Sequence, residues 1–376
     1  MTDEILFEVR NRIGHITLNR PQVLNALSET MIAALHDQLS QWADDPNVNA
    51  VMIRGAGDKS FCAGGDIRAV YQSIKEGRTD QIPYFADEYK LDYDIHQYPK
   101  PYIALIDGIV MGGGMGIAQG AWLRIVTDRT KMAMPEVGIG FFPDVGGSYF
   151  LSRCPGSVGF YLGITGLPIN AADALHASLA DSYLPHEKID LLDRLLDALV
   201  WTNDHRANLM QTITMVNASS SIDPTVATLR TAIDTHFSKE SVPEIIASLQ
   251  METRPEYIDW AKEILMTLAK RSPTMMCVTQ EQIRRGRAMD LADCFRMELA
   301  MVNECFIDGD FVEGVRALII DKDTQPRWNP SRLDEVNINS IGRFFEACWS
   351  NEQHPLAALE TTSIHRAMSL ANYGSE

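Results

Sequence analysis

The chain contains no Cys-x-x-Cys pair. Its six cysteines, Cys62, Cys154, Cys277, Cys294, Cys305 and Cys348, stand apart from one another, with no histidine cluster beside them. This argues against a zinc site or a disulfide framework and for scattered buried thiols in a reducing compartment. No apolar run approaches the about 20 residues that span a membrane. The opening residues, MTDEILFEVR, carry neither a basic leader nor an Arg- and Ser-rich stretch, so the cytoplasm is the expected compartment. Positive charge is scarce: 33 Lys and Arg stand against 50 Asp and Glu, a net charge of −17. A surface of that sign disfavours nucleic acid and anionic membranes as partners. It does not exclude a local basic pocket for a phosphorylated ligand. Several motifs of known chemistry are missing as well. Gly112, Gly114 and Ile117 fail G-x-G-x-x-G, and GAGDKS (55–60) fails it because Ser60 takes the place of the last glycine. There is no G-x-x-x-x-G-K-[ST], H-E-x-x-H or G-x-S-x-G. Nucleotide hydrolysis, hydride transfer and serine-triad chemistry therefore lose their usual signatures.

What is present is a globular composition, 45% hydrophobic and 22% charged over 376 residues. That length holds one large domain, or a core with an appended region. ILFEVRN and HITLNR read as an opening hairpin turning around Gly14. Ser28 is a good N-cap for a helix with Met31, Leu35, Leu39 and Trp42 on one face. AVMIRGAG, PYIALIDG, LRIVTD and KMAMPE read as strands. GGDIRAVYQSIKEG, PYFADEYKLDYDIHQY, GSVGFYLGITG and NAADALHASLA read as helices. Strand, glycine-rich turn and helix recur, a pattern that implies an α/β fold with ligand groups at strand ends and helix N-termini. From about residue 186 only helical patterns follow, including one long stretch over EQIRRGRAMDLADCFRMELAMVNECFIDG. The expected organisation is an α/β core over 1–190 and a helical region over 191–376.

The chemistry concentrates between Gly112 and Gly147, in GGGMGIAQGAWLRIVTDRTKMAMPEVGIGFFPDVGG. A triple glycine after a strand lets backbone N–H groups approach a ligand closely. Glu136 and Asp144 follow, each next to a proline. Backbone donors with two carboxylates fit a site that stabilises an oxyanion and moves a proton. Taken without that context, Glu136 reads as a helix-cap carboxylate, Asp144 as a cap of the helix near Gly146, and Glu88 as an ordinary helical glutamate. A second glycine turn, SFCAGGDI (60–67), reads alone as a tight turn opening a helix, with Asp66 at its start. Paired with the triple glycine it supplies a second N–H donor. Each such donor is typically worth roughly 3 kcal/mol of transition-state stabilisation. His96 and His176 are expected to be structural. Met111, Met115, Met132 and Met134 are expected in the core, with an acyl-pocket floor as the alternative.

SFCAGGDI, IDGIVMGGGMGIA and MPEVGIGFFPDVGG, in this order and spacing, resemble the crotonase (enoyl-CoA hydratase/isomerase) superfamily, and LNRPQVLNALS resembles its loop that contacts coenzyme A. The resemblance implies a crotonase-like spiral of β-β-α units with a helical C-terminal region. It also implies an acyl-CoA ligand and an oxyanion hole made by the N–H groups of Gly65 and Gly113. Hydratases of the superfamily use two glutamates. The position of one is Gly116 here; that of the other is Glu136. MPEVGIGFFPDVGGSYFLSR, FADEYKLDY and FVEGVRALIIDKDTQPRWNP resemble the branch that hydrolyses 3-hydroxyisobutyryl-CoA in valine degradation. For that branch the resemblance implies Glu136 and Asp144 as catalytic residues, and Glu88, Gly113, Glu136 and Asp144 as substrate contacts. It implies no metal and no cofactor, CoA being part of the substrate. Arg20, Lys59, Lys100 and Lys322 are unranked candidates for the CoA phosphates. Relatives form trimers and dimers of trimers, which makes a homo-oligomer one expectation; a helical C-terminal region covering the same surface within one chain is the other.

Overall fold

The computed structural model describes residues 3–78, 81–220 and 222–360. Among these residues nine strands form two sheets. β1 (Ile5–Arg10), β2 (Ile13–Leu18), β3 (Ala50–Gly55), β5 (Tyr102–Ile106), β7 (Leu123–Val126) and β9 (Ser182–Tyr183) make a six-stranded sheet in that order. β4 (Ser60–Cys62), β6 (Ile109–Met111) and β8 (Lys131–Ala133) make a second sheet of three. Among the paired strands of the described residues only β1–β2 is antiparallel. The chain alternates between the sheets at every step from β3 to β9, which is the expected spiral of β-β-α units.

Helices fill the intervals: α1 (Glu29–Asp44), α2 (Ile67–Lys75), α3 (Gln81–His96), α4 (Gly113–Gln119), α5 (Gly147–Ser152), α6 (Val158–Thr165) and α7 (Ala171–His176). Beyond β9 the described residues are helical or irregular. They hold α8 (Ile189–Asp197), α9 (His205–Thr214), α10 (Thr225–Thr228), α11 (Arg230–Phe237), α12 (Val242–Gln250), α13 (Ile258–Leu268), α14 (Pro273–Gly286), α15 (Leu291–Asp308), α16 (Phe311–Val315) and α17 (Ile338–Arg343). Ser28 caps α1 as expected, accepting from the Met31 N–H at 3.2 Å.

From β2 to β9 the large sheet is buried on both faces, and period-two alternation sorts its side chains. Val51, Ile53, Tyr102, Ala104 and Ile106 face a core that extends through Phe141 and Phe237 to Phe295, Phe311 and Leu356. Met52, Ile103 and Leu105 face a smaller core closed by Leu192, Leu196, Leu209 and Ile213 of α8 and α9. The late helices thus complete both faces of the early sheet.

Two expectations are corrected. The hairpin turns at Asn11 and Arg12, both at positive φ, and Gly14 lies inside β2. Gly14 is glycine for a packing reason: a Cβ there would stand 2.5 Å from the Trp42 ring. The long helix expected over 281–309 is two, α14 and α15, broken at 287–290. Asp290 caps the second, accepting from the Asp293 N–H at 2.8 Å.

Candidate active site

The three strands of the small sheet run parallel, so their C-terminal ends share one edge. β4 delivers Gly64 and Gly65 there, β6 delivers Gly112 and Gly113, and β8 delivers Glu136. Functional groups of α/β folds gather outside the carboxyl ends of strands for this reason. Gly113 is the first residue of α4, where an N–H has no partner within the helix. Neither the Gly65 nor the Gly113 N–H donates a hydrogen bond among the described residues. A side chain on Gly113 would begin 3.2 Å from the Gly65 nitrogen and would overlap Oε1 of Glu88. The two amides and Glu88 therefore converge, and only glycine fits between them.

α3 crosses this edge. It brings Tyr84, Glu88, Tyr89 and Asp92 to the site. Glu88 is 2% exposed, Asp92 0%, Glu136 7% and Asp144 5%, so four carboxyls lie out of water together. Oε1 of Glu88, Oε2 of Glu136 and both carboxyl oxygens of Asp92 have no hydrogen-bond partner among the described residues. Burial raises all four acids, because removal from water penalises the charged form. Burial and then the Asp144 charge hold Glu136 well above the usual carboxylate range. The same two causes, in the same order, raise Glu88. Asp92 is raised by burial and by Glu88, Asp144 and Glu298. Asp144 is pushed up to about 7 by burial, partly offset by the hydrogen bond it accepts from Tyr89. That bond, Tyr89 Oη to Asp144 Oδ2, is 2.8 Å long.

Asp144 does not cap α5. Its side chain turns to Tyr89, and only its carbonyl meets the helix, accepting from the Gly147 N–H at 2.7 Å. The cap comes from 152 residues away: Glu298 on α15, fully buried, accepts from the N–H groups of Gly146 and Ser148 at 2.8 Å each. Gln282 on α14 donates to the Pro143 carbonyl at 2.5 Å and to the Ser148 hydroxyl at 2.9 Å. These contacts hold Val145 at φ 52, a left-handed conformation that costs a β-branched residue about 1–3 kcal/mol. Burial pushes Glu298 up to about 8, against the pull of its donors.

All five predicted site residues, Gly65, Glu88, Gly113, Glu136 and Asp144, thus meet at one strand edge. The sequence reading missed Tyr84, Tyr89, Asp92, Gln282 and Glu298. Tyr84 and Asp92 lie one helical turn either side of Glu88, on its face of α3, so periodicity held a signal for them. Nothing local marks Glu298. Among the basic candidates, Lys100 is engaged by the Trp42 and Asp45 carbonyls at the end of α1. Arg20 binds Asp66 at 3.1 Å. A surface cavity of about 370 Å³ lined by Val242, Cys277, Arg284, Leu333 and Phe345 lies elsewhere and contains none of these site residues.

The alternating sheets and a buried carboxyl cluster beside paired glycine turns define a class of α/β enzyme scaffold. A family model described as enoyl-CoA hydratase/isomerase matches residues 13–345. The chain belongs to that family. It is 41% identical over 352 residues to a Danio rerio protein named "3-hydroxyisobutyryl-CoA hydrolase, mitochondrial", covering 93% of this chain and 90% of the relative. The Gallus gallus protein of that name is 39% identical over 353 residues, with the same coverage of each chain. Among solved structures, one titled as a carnitinyl-CoA dehydratase from Mycobacterium thermoresistibile superposes with a TM-score of 0.83 at 38% identity, covering 92% of this chain and 97% of that one. An enoyl-CoA hydratase from Rhodobacter sphaeroides gives 0.82 at 32% identity, with 92% and 98% covered. No helix among the described residues is long and apolar enough to cross a membrane.

Proposed function

We propose that this chain is an acyl-CoA thioester hydrolase that cleaves a short 3-hydroxyacyl-CoA, 3-hydroxyisobutyryl-CoA foremost, to the free acid and CoA, a step of valine degradation. The observation that carries this reading is buried Glu136 and Asp144 beside the edge where Gly65 and Gly113 meet, their N–H groups without an acceptor among the described residues. The naming of full-length relatives supports it. In this reading the thioester carbonyl sits between the two amides, which stabilise the oxyanion that develops on it. Glu136 attacks the carbonyl to form a mixed anhydride, or activates water directly. Asp144, raised to about 7, keeps a proton for the departing thiolate. Glu88 meets the 3-hydroxyl. CoA enters as part of the substrate, and the reaction as written needs no further cofactor. A homo-oligomer and a cytoplasmic location belong to the proposal; the vertebrate relatives are named as mitochondrial proteins.

The test is thiol release from a panel of short acyl-CoAs, with and without a 3-hydroxyl, read with a thiol-reactive dye. Glu136→Gln is expected to lose most of the activity; near-normal turnover would sink the assignment. Single turnover in labelled water separates the two routes, since the anhydride route leaves label in Glu136. The titles of the solved structures favour a second reading, enoyl-CoA hydration or isomerisation on the same fold. Loss of enoyl absorbance without free thiol would establish it. The glycine at 116, with Asp92 packed against it, argues the other way. Tight CoA binding with no turnover over the panel would instead mark a non-catalytic acyl-CoA-binding protein.

A further inference from the structure

Asp92 has no part in the reaction as written, yet it is fully buried and neither carboxyl oxygen has a partner among the described residues. Buried polar groups are nearly always hydrogen-bonded, so such an exception calls for a reason. Its place gives one. α3 runs past the turn after β4 and along α4, so that every fourth residue meets a glycine. A Cβ on Gly65 would stand 2.7 Å from the Tyr84 hydroxyl, and one on Gly113 would overlap Glu88. A Cβ on Gly116 would stand 2.7 Å from Cγ of Asp92, and one on Gly120 would stand 2.9 Å from the His96 ring. Tyr84, Glu88, Asp92 and His96 thus form one seam from the paired amides outward, ending at a half-buried histidine. Residues four apart on a helix have Cβ atoms about 5–6 Å from each other, a gap that one water bridges.

The chemistry supplies a use for this seam. In thioester hydrolysis the C–S bond breaks and a C–O bond forms. Water provides two protons: one goes to the thiolate, and the other must leave, because the product acid is ionised at neutral pH. The reacting carboxyls are buried, so that proton needs a path. We propose that Asp92 is the proton-exchange residue of this site, passing the proton released in each turnover from Glu88 towards His96 and the surface. Asp92 acts through Glu88 and does not touch the substrate. The inference rests on the thioesterase reading. The groups facing Asp92 are Glu88 on its own helix, Cys62 on β4, Tyr102 on β5, Asp144 and, on α15, Glu298. None is a cation, which keeps Asp92 neutral and able to donate. Burial and then Arg124 hold His96 down at about 4, so its neutral ring stores no proton and passes it on, accepting at one nitrogen as it releases from the other.

The experiment is Asp92→Asn in the full chain, an isosteric change that keeps the packing on Gly116. Thiol release from 3-hydroxyisobutyryl-CoA is followed in dilute buffer and with added imidazole. General acid–base steps contribute about 10²–10⁴-fold, so loss of a relay to one is expected to lower kcat about tenfold or more. KM should stay within about twofold, and imidazole should restore part of kcat by carrying the proton instead. The infrared band of a protonated carboxyl, present in the wild type at neutral pH, should weaken in the variant. An unchanged kcat, a fall that imidazole does not relieve, or an unchanged carboxyl band overturns the proposal. Wild-type turnover with an insensitive Asp92→Asn variant removes this inference alone. A wild type that releases no thiol removes the thioesterase reading and the inference with it.

Discussion

Each carboxyl of the site carries its own balance of burial and partners, and Asp144 is the clearest case. Burial lifts its pKa and the Tyr89 hydrogen bond lowers it, with a net value of about 7. Glu136 and Asp144 act on one another, so they titrate as a pair, and the pH profile reports the pair. On the proposed mechanism the active form carries an ionised Glu136 and a protonated Asp144, so kcat/KM is bell-shaped and its alkaline limb is the loss of the pair's last proton. Tyr89→Phe removes a bond that favours the charged form. Asp144 is then held higher still, so the alkaline limb should move up in pH while kcat falls severalfold. Asp144→Asn should abolish that limb and lower kcat more than it raises KM, because its role lies in the transition state. pH–rate profiles of the three proteins make the comparison. An alkaline limb at the same pH in all three would detach it from Asp144.

At the scale of elements, α14 and α15 hold the loop that carries Asp144. Glu298→Ala would leave the buried Gly146 and Ser148 N–H groups without an acceptor, costing roughly 1–3 kcal/mol apiece. Val145, held at φ 52 just before them, is then free to relax and to take Asp144 with it. The expected result is a lower urea midpoint and a fall in kcat that exceeds the rise in KM. Glu298→Gln keeps one acceptor oxygen and should recover part of both. Stability lost with kinetics intact would show that the clamp acts on folding alone. This clamp also marks where the sequence became illegible. The strand ends, the two glycine turns and Glu136 were readable because they lie in short segments with their own turn chemistry. Glu88 was readable by resemblance. The α14–α15 break was missed because its helical periodicity runs on across 287–290. Glu298 was out of reach, since it looks like any helical glutamate until the fold brings it 152 residues back to α5.

At the scale of the whole molecule, the buried acids set the sign of the pH dependence of stability. The unfolded chain releases these protons near pH 4. The folded chain holds them higher, to about 7 at Asp144 and about 8 at Glu298, and higher than the usual range at Glu88, Asp92 and Glu136. The folded state therefore binds more protons across that window, and stability falls as pH rises through it. Salt-bridged carboxylates, with lowered pKa values, would do the reverse. Buried His15 and half-buried His96, both lowered to about 4, erode stability on the acid side, as pH falls from about 6.5 towards 4. A comparison between about pH 7 and 8 stands above most of the histidine titration and below most of that of the cysteines, whose thiols are also raised in the fold, and so isolates the acids. The urea midpoint is expected to drop over that interval. Repulsion from a net charge of −17 works in the same direction, but it is a surface effect that about 1 M salt screens to about 3 Å. The drop should therefore persist in high salt, and Glu298→Gln, which removes one titrating group, should flatten it. A midpoint that is level in high salt would mean that the carboxyls ionise in the fold without penalty. The proton economy inferred for the site would then fail at its root.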